Sequence, residues 1–450
     1  MLEAERRGGG EVAVIGLGRS GAAATRLLRR EGLAVYASDS AASPALESRA
    51  AALLALGAEV ELGRHDLARI RRAALAVLSP GVPPEAPAVT VAREAGVAVR
   101  AEADLALEAL GSLPYVAITG TNGKTTTTAL VAHLLAAAGI RAEAAGNIGT
   151  PLCEMALLAD PPDWLAVELS SFQLHDSPRV RPRVGILTNL APDHLDRYRV
   201  LEEYYADKQR VFVNAGPESV WVSNSDDPES QRRVRGVPGR HLHFSVRTRA
   251  DGWYDRSRDT LQLEEVGLLP RAEFPLLGDH NVANALAAAL AAREAGAAPE
   301  ALAAGLSSFR ALPHRLEPVR EVGGVLWIND SKATNIASTE VAVAALDRPF
   351  VLLLGGRHKG EPYSRLAPLL ARRCRAVVAY GEAQPVIVAD LGLAIRVLEA
   401  GCFEEVLRLA RELARPGDAV LLSPACSSYD MFTNYEERGA RFRAIVEGWR

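Results

Sequence analysis

The stretch Val116-Ala117-Ile118-Thr119-Gly120-Thr121-Asn122-Gly123-Lys124-Thr125-Thr126 is an apolar run, a loop of small residues and the start of a helical segment that reaches about Ala138. A loop of this make-up aims backbone N–H groups at phosphate oxygens, with Lys124 adding charge at the β and γ positions and the Thr125 hydroxyl suited to Mg²⁺. Ile118 stands where the full phosphate loop has its first glycine, so the pattern is a variant of it. Strand, loop, Lys-Thr pair and helix nevertheless agree on a nucleoside triphosphate.

Further polar residues stand at the ends of apolar runs. Glu168 closes the run 164–168, and His194 follows the run 184–188 in Thr188-Asn189-Leu190-Ala191-Pro192-Asp193-His194. Carboxylate and imidazole at strand ends suit a hard cation. The plainer alternatives are an exposed cap for Glu168 and a satisfied loop histidine for His194. Near the start, Gly16-Leu17-Gly18-Arg19-Ser20-Gly21 lies between a strand and a helix, and a second strand ends at Asp39. The spacing fits a dinucleotide fingerprint, in which a tight glycine turn brings a helix N-terminus to an anion and the acid meets a ribose or base. A simple cluster of turn glycines is the other possibility. Lys208, in Tyr204-Tyr205-Ala206-Asp207-Lys208-Gln209-Arg210, reads by composition as a solvated surface lysine. Asn281 and Asn284, in Asp279-His280-Asn281-Val282-Ala283-Asn284, either cap a long Ala/Leu helix or face a nucleotide base.

The last third carries a dense polar cluster, Asn329-Asp330-Ser331-Lys332-Ala333-Thr334-Asn335, directly after an apolar strand. Burying such groups is costly unless they pair with each other or with a ligand, and a ligand is the favoured expectation. Lys359, in Gly355-Gly356-Arg357-His358-Lys359-Gly360, and the loop from Ser423 to Phe432 follow later strands of the same region, where open α/β sheets bind ligands.

These residues must be positioned by an α/β scaffold. Short β-branched runs at 12–15, 33–37, 75–79, 115–119, 164–168, 184–188, 325–329, 350–354, 377–380 and 420–423 alternate with Ala/Leu/Arg-rich helical segments, which predicts mostly parallel sheets. At 450 residues the chain exceeds one ordinary core. A strand-loop-helix unit restarts at Tyr115 and again after Leu312-Pro313-His314-Arg315, so boundaries are expected near 110 and 313, giving segments 1–110, 111–312 and 313–450.

With 48% hydrophobic and 24% charged residues the balance is that of a globular protein rather than a disordered one. The net charge of −4 is spread along the chain, so nucleic acid is not an expected partner. The opening residues lead into no long apolar run and no later stretch approaches a membrane span, so membrane insertion is not expected and the cytoplasm is the expected location. Cys153, Cys374, Cys402 and Cys426 show no paired metal-ligand spacing and read as reduced thiols.

Taken together, the motifs resemble the Mur ligase family over the chain from Gly16 to Gly439. The loop from Gly120 to Thr126 is similar to that of several Mur ligases and of folylpolyglutamate synthases. The cluster 329–335, the loop Ser423-Pro424-Ala425-Cys426-Ser427-Ser428-Tyr429-Asp430 and the closing Asn434-Tyr435-Glu436-Glu437-Arg438-Gly439 resemble the members that add D-glutamate to UDP-N-acetylmuramoyl-L-alanine. The resemblance implies three domains: an N-terminal Rossmann-like one for the UDP end of the substrate, a central P-loop ATPase-like one, and a C-terminal Rossmann-like one that brings the amino acid. It moves the first glycine loop from NAD to uridine diphosphate. Gly18, Ser20, Asp39, Ser40, Ser79 and Gly81 are then implied to hold that nucleotide, and Asn147 and Gln173 the sugar side.

The resemblance also implies ATP, two Mg²⁺ ions at Thr125, Glu168, His194 and Lys208, and a CO₂-derived carbamate on Lys208. Asn281, Asn284, Arg315, Asp330 and Lys332 match positions around ATP, while Thr334, Lys359, Ser428 and Tyr435 match the D-glutamate site. Lys124, Lys208 and His194 are implied to act in catalysis, through an acyl phosphate. Tyr435 departs from the family pattern, which has an aromatic residue without a hydroxyl there. The nearest rival is another Mur-type ligase or a folylpolyglutamate synthase adding a different amino acid, which only the third segment distinguishes. A nicotinamide oxidoreductase leaves Lys124, Thr125 and Glu168 unexplained, and a non-catalytic nucleotide-binding regulator would be expected to have lost residue types such as Glu168.

Overall fold

A computed structural model of the chain describes residues 9–193 and 197–449. Each of the ten apolar runs contains or overlaps a strand. Burial on both faces explains why these runs are continuous rather than alternating, since helices cover both sides of a parallel sheet. The described residues form three sheets.

The first sheet holds β1 (Val12–Ile15), β2 (Val35–Asp39), β3 (Glu59–Leu62), β4 (Leu75–Leu78) and β5 (Ala98–Ala101), all parallel in the order β3-β2-β1-β4-β5. The reversal of order at β1 puts the first glycine loop at a switch point, between β1 and helix α1 (Arg19–Arg30). Gly21 lets that helix approach the strand, because a Cβ there would overlap the Gly16 carbonyl.

The second sheet holds β6 (Tyr115–Thr119), β7 (Ala142–Gly146), β8 (Trp164–Glu168), β9 (Val184–Leu187), β10 (Val220–Asn224), β11 (Arg240–Ser245), β12 (Gly252–Asp255), β13 (Thr260–Leu263) and β14 (Val266–Pro270). Its order is β14-β13-β12-β11-β10-β9-β6-β8-β7, parallel except for the pairs β12–β13 and β13–β14. Central β6 lies between β8 and β9, so the phosphate loop that follows it is flanked by the residues ending those two strands.

The third sheet holds β15 (Glu317–Val322), β16 (Val325–Asn329), β17 (Phe350–Gly355), β18 (Cys374–Tyr380), β19 (Val397–Ala400) and β20 (Ala419–Leu422), ordered β15-β16-β20-β17-β18-β19. Only the β15–β16 hairpin is antiparallel, turning at Gly323 and Gly324, both with positive φ. Because β20 lies between β16 and β17, the three loops singled out in the last third of the sequence leave neighbouring strands.

The backbone packs as two compact units, the first comprising residues up to Arg271 with Ala283–Leu306, the second Ala272–Val282 with Ser307–Arg450. Within the first unit the first two sheets are joined by buried polar contacts. Cys153 N donates to Glu102 Oε1 (2.6 Å), Ala101 N to the Asp176 carbonyl (2.8 Å), and Arg179 N to Oδ1 of the buried Asp104 (2.8 Å). All four cysteines are free thiols. Among the described residues no helix is long and apolar enough to cross a membrane.

Gly21→Ala should destabilise the fold by about 1–3 kcal/mol, the usual range for overpacking, since the obstacle is backbone. Gly18→Ala, whose Cβ would meet only Ser79 Oγ at 3.7 Å, should unfold like the parent. Denaturant midpoints of the two variants check this.

Candidate active site

The phosphate loop is shaped by two glycines and held by the next strand. Gly120 (φ +141°) lies so close to Thr188 Oγ1 that a Cβ would overlap it, and Gly123 (φ +82°) lies equally close to Asn284 Oδ1. Asn189, just past β9, clasps the loop. Its carbonyl accepts from Thr121 N (2.8 Å), its Oδ1 accepts from Asn122 N (2.9 Å), and its Nδ2 donates to the Asn122 carbonyl (3.0 Å). Thr188 Oγ1 donates to the same carbonyl (2.7 Å), and Tyr204 OH to Thr121 Oγ1 (3.2 Å). Helix α2 (Lys124–Ala137) then starts from Gly123, which offers no side chain to cap the first turn that holds Lys124, Thr125 and Thr126. Such a turn presents its N–H groups to an anion.

Two lysines meet at one oxygen of this loop. Lys124 Nζ donates to the carbonyls of Gly120 (2.9 Å) and Thr121 (2.8 Å), and Lys208 Nζ donates to Gly120 as well (2.8 Å). The surface position that composition suggests for Lys208 is not what forms. It is 2% exposed, on helix α3 (Leu201–Gln209), with its ammonium 4.6 Å from the centre of the Tyr204 ring. Burial holds its amine well below the ordinary lysine range, and the Lys124 ammonium acts in the same direction.

Glu168 is likewise buried rather than an exposed cap. Its Oε1 accepts from Asn147 Nδ2 (2.9 Å), while Oε2 is buried with no hydrogen-bond partner among the described residues. It pairs in register with Ile118, two residues before Gly120. His194 lies outside the described residues.

Gln173 shows the same incompleteness. Its Oε1 accepts from Ser170 N (3.0 Å) in a capping box, and its buried Nε2 has no partner among the described residues. Gln173 and Ser79 line a common cavity of about 390 Å³ between the first two sheets, with Pro80, Phe172, Arg197 and Tyr198. Gly18, Ser20, Asp39, Ser40, Gly81 and Asn147 are not in that lining. Asp39 braces the glycine loop, its Oδ2 accepting from Leu17 N (2.7 Å) and its Oδ1 from Ala41 N (2.9 Å).

In the second unit the polar cluster after β16 is largely paired within the protein, which accounts for groups whose burial a ligand was expected to explain. Asp330 Oδ2 accepts from Ser423 Oγ (2.8 Å) and Oδ1 from Leu316 N (3.1 Å), and burial pushes its carboxyl up to about 7. Asn329 Nδ2 donates to Glu317 Oε2 (3.1 Å) and the Gly439 carbonyl (3.2 Å). Arg438, fully buried, donates to Ser331 Oγ (2.9 Å), the Ser331 carbonyl (2.8 Å) and the carbonyls of Cys426 (3.2 Å) and Gly355 (3.4 Å), so one guanidinium joins the loops after β16, β20 and β17. Lys332 Nζ donates to Tyr435 OH (2.9 Å). Asn281, also in this unit, donates through Nδ2 to the Leu277 carbonyl (2.8 Å). Thr334 and Arg315 are half-buried, Lys359 exposed and Ser428 buried, on or beside the same loops.

Sequence reasoning passes over Asn189, Tyr204 and Arg438 as site residues. All three stand inside motifs that the sequence singles out, but only the fold shows what their side chains reach. Asn189→Ala removes two hydrogen bonds from Asn122, each worth about 0.5–1.5 kcal/mol, and should weaken ATP binding about tenfold in calorimetric titration. Unchanged affinity would mean that the loop holds its shape without the clasp.

Three family models match the chain in order: Mur ligase MurD-like N-terminal domain over residues 10–101, Mur ligase middle domain over 118–292, and Mur ligase glutamate ligase domain over 314–426. The UDP-N-acetylmuramoylalanine--D-glutamate ligase of Acidobacterium capsulatum is 41% identical over 446 residues, covering 97% of this chain and 96% of that protein. The protein of the same name from Anaeromyxobacter dehalogenans is 44% identical over 455 residues, with 97% of both covered. Among solved structures, the UDP-N-acetylmuramate-alanine ligase of Thermotoga maritima shares the fold with a TM-score of 0.62 at 19% identity, covering 97% of this chain and 99% of that one. A pseudomurein peptide ligase type C from Methanothermus fervidus does so with a TM-score of 0.61 at 20% identity, over 97% and 99%. The three family models matched in order, together with 41% and 44% identity over 97% of the chain, mean that the chain belongs to the Mur ligase family.

Proposed function

We propose that this protein is an ATP-dependent ligase that joins D-glutamate to UDP-N-acetylmuramoyl-L-alanine in peptidoglycan synthesis, working in the cytoplasm. The name carried by relatives alike over 97% of the chain supports the substrates. One observation carries the chemistry: the Gly120 carbonyl accepts from both Lys124 and Lys208, in a sheet where the neighbouring strand β8 ends at a buried Glu168 oxygen without a partner among the described residues. The Lys124 cation at a phosphate loop suits a triphosphate, and an unpaired buried carboxylate oxygen suits a hard cation.

In this proposal residues 1–110 bind the UDP end, 111–312 bind ATP and 313–450 bring the amino acid. Gly18, Ser20, Asp39, Ser40, Ser79 and Gly81 hold the nucleotide of the substrate, and Asn147 and Gln173 meet its sugar, the unpaired Gln173 Nε2 being a donor for it. Gly120 to Thr126, with Asn281 and Asn284, hold ATP, joined by Arg315, Asp330 and Lys332. Thr334, Lys359, Ser428 and Tyr435 receive D-glutamate, whose two carboxylates call for a cation and hydroxyl donors.

Glu168 Oε2 makes the site a fitting one for Mg²⁺, with Thr125, His194 and a carbamate on Lys208 completing the donors for two ions. When bound, Mg²⁺ screens the charge that builds as one anion approaches another. Carbamylation answers the awkward placement of Lys208. Burial favours its neutral amine, whose nitrogen forms a bond to the carbon of CO₂ and loses a proton, leaving a negative group where an ammonium would repel a metal.

The reaction has two steps. A carboxylate oxygen of the substrate bonds to the γ-phosphorus of ATP as the bond to ADP breaks, and Lys124 leaves its loop carbonyls to follow the transferring phosphoryl group. The D-glutamate nitrogen then bonds to the acyl carbon, phosphate departs, and the nitrogen gives up a proton. Asn189 and Thr188 keep the loop N–H groups fixed throughout. No side chain is required as a covalent nucleophile.

Phosphate release measured with ATP, Mg²⁺, UDP-N-acetylmuramoyl-L-alanine and each of D-glutamate, L-glutamate, L-alanine and L-lysine tests the proposal. Release should be fast with D-glutamate alone. Faster release with L-alanine or L-lysine would leave ligase chemistry standing and overturn the choice of amino acid.

A further inference from the structure

The hydroxyl of Tyr435 has a defined partner, the Lys332 ammonium. Tyr435 opens helix α4 (Tyr435–Glu447), whose start is fixed by Asn434 Oδ1 accepting from Glu437 N (2.8 Å). That first turn is tied to the loop after β16 at three points. Ser331 Oγ donates to the Tyr435 carbonyl (2.8 Å), buried Arg438 donates to Ser331 Oγ (2.9 Å), and Lys332 Nζ donates to Tyr435 OH (2.9 Å). The Lys332 ammonium also lies 4.7 Å from the centre of the Tyr435 ring, close enough for a cation–π attraction. The ring itself meets His314 edge-on at a centroid distance of 6.1 Å. Phenol and ammonium are therefore held by a rigid helix start on one side and a loop anchored by a buried guanidinium on the other.

We infer that the Tyr435 hydroxyl is a positioning group for Lys332, ordering its ammonium before ATP arrives, so that a group in the amino-acid pocket sets the strength of nucleotide binding. This rests on the roles proposed above for Lys332 and for the aromatic ring at 435. A free lysine loses much of its rotamer freedom when it closes on a phosphate, whereas one already tethered has little left to lose. The ring alone, as a phenylalanine would supply it, keeps the stacking surface and the cation–π attraction but not the tether.

The test is a kinetic cycle on the full-length enzyme, with wild type, Tyr435→Phe, Lys332→Met and the double variant. Wild type must first release phosphate with ATP, UDP-N-acetylmuramoyl-L-alanine and D-glutamate; failure there sinks the functional proposal itself. Given that activity, Tyr435→Phe should raise the KM for ATP about tenfold while the KM for D-glutamate stays within about twofold. In the Lys332→Met background the same substitution should change neither. An ATP KM unaltered in Tyr435→Phe, or one raised equally whether or not Lys332 is present, overturns the inference. A rise confined to the D-glutamate KM does so too, since the hydroxyl would then serve the amino acid directly. Melting curves of the four proteins separate a general loss of folding from the expected pattern, because a purely structural hydroxyl would shift the melt without splitting the two KM values.

Discussion

The constraint on which the central site depends is the sharing of one carbonyl oxygen, that of Gly120, by the amines of Lys124 and Lys208. Charging both amines would set like charges at one acceptor with Lys208 almost wholly buried, so burial and the Lys124 charge together favour the neutral amine at Lys208. The surroundings are built to hold that arrangement. Gly120 adopts a backbone conformation open to glycine and presses against Thr188, Asn189 clasps the following peptides, and Tyr204 offers its ring to one cation and its hydroxyl to Thr121. The position of β6 between β8 and β9 makes this possible, since it brings the ends of both neighbours beside one loop. A triphosphate would pair with the Lys124 ammonium, and a carbamate would place a negative charge at Lys208.

The second unit solves a different problem with the same kind of device. Three loops from adjacent strands must keep a fixed relation while presenting polar groups, and loops left to themselves wander. A single buried Arg438 bonded to Ser331, Gly355 and Cys426 fixes all three. The surrounding pairs are each hydrogen-bonded, Asp330 with Ser423 and Asn329 with Glu317, so contacts within the protein brace this edge. A site held ready in this way loses less freedom on binding, which favours affinity.

How much of this is legible in the sequence varies with the physics involved. Continuous apolar runs betray buried parallel strands, and all ten become strands. β7 escapes because Ala142–Gly146 carries no β-branched residue and is strand only through its pairing with β8. β10 carries a signal in Val220-Trp221-Val222, whereas β12 to β14 are short strands made by tight turns and edge pairing. Glycine loops can be read because their conformations demand a residue type. Burial of an isolated charge cannot be read that way. Helix α3 is polar around most of its surface, and nothing in Glu202-Glu203-Tyr204-Tyr205-Ala206-Asp207-Lys208 says that Lys208 turns inward; only the family resemblance singles it out. Arg438 and Asn189 are hidden for the same reason, since their partners are backbone carbonyls and amides far away in sequence.

The proposal for Lys208 makes a claim that can be examined without any turnover. Its amine, buried and held below the ordinary lysine range, should exist largely as the carbamate when CO₂ is available. Carbon NMR of the protein equilibrated with ¹³C-labelled bicarbonate should show a carbamate carbonyl signal that disappears in Lys208→Ala and when CO₂ is removed. Identical spectra from a fully active wild type and the folded variant would contradict it, and would leave Lys208 as a buried amine bonded to the Gly120 carbonyl.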